Sequence, residues 1–73
     1  MDEKTRIEKD IVMFKENLLK LKNKKLTNSQ EKTIELAKQY CEDSKYYLEK
    51  KDYLTAFGCI NYAHGLLDAI IKF

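Results

Sequence analysis

From Ile7 onward, apolar residues fall at Ile7, Ile11, Phe14, Leu18 and Leu21, in steps of four, three, four and three that trace one side of a helix. This spacing predicts a first helix over about 2–22. Around its other faces, Asp2 with Arg6, Lys4 with Glu8, and Glu16 with Lys20 stand four apart. Such pairs contribute about 0.2–0.5 kcal/mol each, so they solubilise more than they stabilise.

The stripe breaks in Lys22-Asn23-Lys24-Lys25-Leu26, and three cap-type residues follow, Thr27, Asn28 and Ser29. Gln30 lies three after Thr27 and Glu31 three after Asn28, the spacing of a capping box, so a second helix is predicted over about 28–50. Its stripe is Ile34, Ala37, Cys41, Ser44 and Leu48, flanked by Tyr40 and Tyr47. Small residues at the centre predict close approach by another helix.

Continuing that stripe would bring Lys51, Asp52 and Thr55 into the core, whereas a new one starts at Tyr53 and runs through Ala56, Phe57, Ile60, Ala63, Leu67 and Ile70. Asp52 is suited to cap this third helix, predicted over about 53–72, and the short turn makes helices two and three antiparallel. On this reading Phe57 is a core residue. The polar or bare positions of the third helix reduce to Gly58, Asn61, Gly65, Asp68 and Lys72. That leaves more apolar circumference than two neighbours can cover. The expected fold is all-α, an antiparallel three-helix bundle forming a single domain over 1–73.

Composition supports helices: proline is absent and glycine occurs twice, too few turn residues for a many-stranded fold. Charged residues make up 36% and apolar ones 44% of the chain, too apolar for a disordered segment. A net charge of +2 builds no global field of the kind dedicated nucleic-acid binders carry. No apolar leader follows Met1. The longest apolar stretch contains Asn61, His64 and Asp68, and an aspartate at a bilayer centre costs about 2.5–3.5 kcal/mol, so a membrane span is not expected. With no disulfide framework visible, Cys41 and Cys59 are expected to be free thiols and the chain cytosolic.

The stretch 36–69 resembles an archaeal family known as domain of unknown function 357, through Asp43, Leu48, Asp52-Tyr53, Ala56-Phe57, Ile60, Tyr62-Ala63 and Gly65-Leu66-Leu67-Asp68-Ala69. The resemblance implies a compact helical bundle and brings no activity, cofactor or catalytic residue with it. Members of the family tend to place glycine before the aspartate, where this chain has Lys51. If that position is left-handed, a lysine there costs about 1–2 kcal/mol.

Candidate chemistry is thin. Cys41, Cys59 and His64 lack the ligand spacing that converges on a metal, and no base or orienting group accompanies either thiol, so no catalytic, cofactor or metal site is expected. A nuclease of the HEPN class needs an arginine shortly before its histidine, and Arg6 is the only arginine. Lys20, Lys22, Lys24 and Lys25 have no acid between Glu16 and Glu31, which makes them a candidate phosphate-binding patch for RNA or DNA, though lysines without arginine read little sequence. Of the five tyrosines, Tyr46 is the expected exposed ring. Gly58 and Gly65 stand seven apart with Asn61 and Asp68 on the same ridge, and two mid-helix glycines cost about 1 kcal/mol each, which calls for a packing reason. These four residues form the candidate partner interface. The expected function is a helical interaction or scaffold module that meets a protein partner or a second copy through helix three. The alternative is weak nucleic-acid association through the lysine-rich loop.

Overall fold

Three caps and three stripes produce three α-helices: α1 (Glu3–Leu19), α2 (Asn28–Glu49) and α3 (Tyr53–Lys72). The structure, a computed structural model, describes residues 2–72. Asp2 caps α1 rather than pairing with Arg6: its carboxylate accepts the Thr5 backbone N–H at 2.8 Å, which holds the Asp2 carboxyl below its ordinary range. The expected i,i+4 ion pairs do not form. Among the described residues the one ion pair is Lys45 with Glu42, at 2.9 Å.

α1 stops short of the predicted 22. Lys20, Leu21 and Lys22 donate to the carbonyls of Asn17, Leu18 and Leu19, a tightened i→i+3 end that still buries Leu21. α2 opens on the capping box as predicted: Thr27 Oγ1 accepts the Gln30 N–H at 3.1 Å, and Gln30 Oε1 accepts the Thr27 N–H at 2.9 Å.

The α2–α3 turn closes with the Lys51 N–H on the Leu48 carbonyl and the Asp52 N–H on the Tyr47 carbonyl, the paired bonds of a Schellman stop. Lys51 is left-handed, with φ 63°, at the position where the resembled family tends to carry glycine. Asp52 then caps α3, its carboxylate accepting the Thr55 N–H at 3.2 Å.

The helices run up, down and up. α2 and α3 lie against each other along most of their length, α1 rests mainly on α3, and α1 touches α2 only sparsely. Small residues make the α2–α3 contact close. Ala37, Cys41 and Ser44 meet Ala56, Ile60 and Ala63, all buried, and the Ser44 hydroxyl donates to the Ala56 carbonyl at 2.7 Å. Ile7, Ile11 and Phe14 of α1, Leu21 just after it, Ile34 of α2 and Leu67 of α3 complete the core.

One core expectation fails. Phe57 is 37% exposed, because the buried stripe of α3 centres on Ala56, Ile60, Ala63 and Leu67 and leaves position 57 on its α1 edge. There Phe57 lines a notch of about 180 Å³ with Glu3, Arg6, Ile7, Tyr53 and Leu54.

Candidate functional site

α3 has two faces of opposite character. Its inner stripe is packed. On the outer side, Leu54 is 85% and Tyr62 51% exposed, and Gly58, Asn61, Gly65 and Ala69 also face solvent. Asp68, the fourth of the predicted interface residues, is half-buried at the edge of the same face. Leu54, outside the four predicted interface residues, stands four residues before Gly58 and so extends the same ridge.

No charged side chain occurs on α3 between Asp52 and Asp68. A Cβ built on Gly58 or Gly65 would meet nothing within 4 Å, so packing inside the chain does not account for either glycine. By length and composition Tyr53–Lys72 is apolar enough to cross a membrane, with a mean hydropathy of 1.3. In the fold its inner stripe is already engaged by α1 and α2.

The two edges of the face are built differently. Toward α2, Tyr62 stacks on Tyr40 with ring centroids 4.6 Å apart and planes 14° apart. Toward α1, His64 places Nε2 2.7 Å from the backbone carbonyl of Asp10, and its ring meets Phe14 edge-on at 5.9 Å. This histidine joins two helices. Because the carbonyl is an acceptor, Nε2 carries the proton in this contact.

The other candidates are dispersed. Cys41 is buried against the core and Cys59 is half-buried on α3, neither beside His64, and burial pushes both thiols above the ordinary cysteine value. Among the described residues no group of three His, Cys, Asp or Glu side chains converges. Tyr46 is 55% exposed, as expected, with the Lys50 ammonium 5.5 Å from its ring centre.

Lys20, Lys22, Lys24 and Lys25 are all exposed, yet Lys22 lines a groove of about 390 Å³ together with Lys38, Glu31 and Glu35. The acids of α2 therefore lie next to the basic loop, a proximity that spacing along the chain had concealed. Along the sparse α1–α2 contact, the Lys45 ammonium beside Lys15 pushes Lys15 below the ordinary lysine range, while Glu42 holds Lys45 above it.

No curated protein matches the chain. The family model for proteins of unknown function DUF357 matches residues 9–73, a span that contains all of α2 and α3 and most of α1. The chain belongs to the DUF357 family of proteins of unknown function.

Proposed function

We propose that this chain is a protein-interaction module that works through the outer face of α3, in the cytosol and without catalysis of its own. The observation that carries the reading is the pairing of an 85% exposed Leu54 with two glycines that nothing in the chain fills. Exposed apolar surface of this kind marks a contact site when it is contiguous and bare of charge. The non-catalytic part of the reading is supported by the engagement of His64 with the Asp10 carbonyl and by the burial of Cys41 in the core.

Affinity capture from the native cell extract tests the proposal, comparing the wild-type chain with Gly65→Arg and with Lys24→Glu plus Lys25→Glu. Position 65 has open space around it, so the arginine leaves the fold intact. The expected result is a protein retained by the wild type and by the loop variant and lost with Gly65→Arg. Retention of the same proteins by Gly65→Arg contradicts the reading.

A further inference from the structure

Resting on that reading, we propose that the occupant of the α3 face is a second copy of this chain, with the two α3 helices antiparallel across a two-fold axis. The outer ridge is Leu54, Gly58, Asn61, Gly65, Asp68 and Lys72, with steps of four, three, four, three and four. This sequence of steps is the same in either direction. A reversed copy therefore sets every ridge position opposite another ridge position, as an isologous contact requires.

At its centre the register that results pairs a larger side chain with glycine. Asn61 of one copy lies over Gly65 of the other, Asp68 over Gly58, and the Lys72 stem along Leu54, each pairing occurring twice by symmetry. The glycines, without a function inside the chain, become the gaps that receive the polar side chains. They also let the helix axes approach toward the short end of the about 8–10 Å range for packed helices. Steps that alternate four and three make a seven-residue repeat, which suits a shallow left-handed crossing. An amide buried at Asn61 favours one register over its neighbours, as a single polar residue does in a coiled coil.

Charge selects the same arrangement. The ridge carries one acid and one base, Asp68 and Lys72. A parallel pair would place Asp68 on Asp68 and Lys72 on Lys72, whereas the antiparallel pair separates the like charges. It also brings Lys72 of the second copy to the start of α3, where the exposed Asp52 carboxylate supplies the opposite sign. Tyr62 and Phe57, both partly exposed, widen the contact on either side.

Sedimentation equilibrium from about 10 μM to about 1 mM, a range suited to a contact of one helix pair, reads the association. The 8.7 kDa chain is expected to double in mass across that range, and Gly65→Arg to remain at the single-chain mass with a thermal melt at low concentration no lower than that of the wild type. Orientation is read by oxidative cross-linking of Leu54→Cys with Lys72→Cys, both in a Cys59→Ser background. The mixture should cross-link well beyond either variant alone. Stronger cross-linking of Leu54→Cys with itself overturns the antiparallel pairing. A single-chain mass at every concentration overturns self-association, and the interaction-module reading then still stands if Gly65→Arg loses the captured protein.

Discussion

The two faces of α3 are built from the same helical spacing but used in opposite ways. On the inner face, Ala56, Ile60, Ala63 and Leu67 alternate small with large, each completely buried, and Ser44 ties the first turn to α2. On the outer face, Leu54, Gly58, Asn61 and Gly65 repeat the alternation with nothing laid against it. The difference teaches that small residues in a helix signal close approach only when their neighbour is known. Ala56 and Ala63 have theirs within the chain, while Gly58 and Gly65 have none there.

Substitutions on the two faces should therefore separate folding from association. Ile60→Ala has the largest expected effect, a loss of about 2–5 kcal/mol in urea unfolding, because the removed atoms leave a cavity between three helices. A loss below 1 kcal/mol would mean that the inner face collapses around the gap. Next is Lys51→Gly, which relieves the left-handed lysine and should raise stability by about 1–2 kcal/mol. An unchanged melt would show that the Schellman turn holds lysine without strain.

Gly65→Ala sharpens the contrast further, since the helix gains about 1 kcal/mol from alanine where nothing obstructs its Cβ. The variant should melt higher at low concentration yet associate more weakly, whereas stronger association would place the contact elsewhere.

The smallest effect concerns the Asp2 cap. Its folded carboxyl titrates below the ordinary 3.8, so its contribution is present above that value and is lost as the pH falls through the folded pKa. Melting curves of the wild type and Asp2→Ala should differ at neutral pH and converge in acid. Curves separated equally at both pH values would assign the loss to something other than the carboxylate.

The three helices, the Thr27 and Asp52 caps and the phase slip between Lys50 and Tyr53 were all legible along the chain, because capping and periodicity are local. The left-handed state of Lys51 was legible only by comparison with glycine at that position in the resembled family. Phe57 misled for a geometric reason: it is one residue from Ala56 and three from Ile60, so a stripe drawn through all three is broader than the strip that α1 and α2 cover. The interface residues were legible as a polar ridge, yet Leu54 was absorbed into the apolar count because spacing does not reveal which side of an apolar helix faces out. The nearness of Glu31 and Glu35 to the lysine-rich loop depends on how α1 packs across α2, which no local pattern encodes.

The central claim, that the outer face of α3 is a contact surface for a second copy, is tested most directly by amide and side-chain NMR shifts followed on dilution. Between about 1 mM and about 10 μM, concentrations that bracket a weak helix-pair contact, the account predicts changes confined to the ridge of Leu54, Gly58, Asn61, Gly65, Asp68 and Lys72 and to its flanks at Phe57 and Tyr62. Shifts that do not depend on concentration, or changes centred on Lys20–Lys25 or on the α1–α2 grooves, would contradict it.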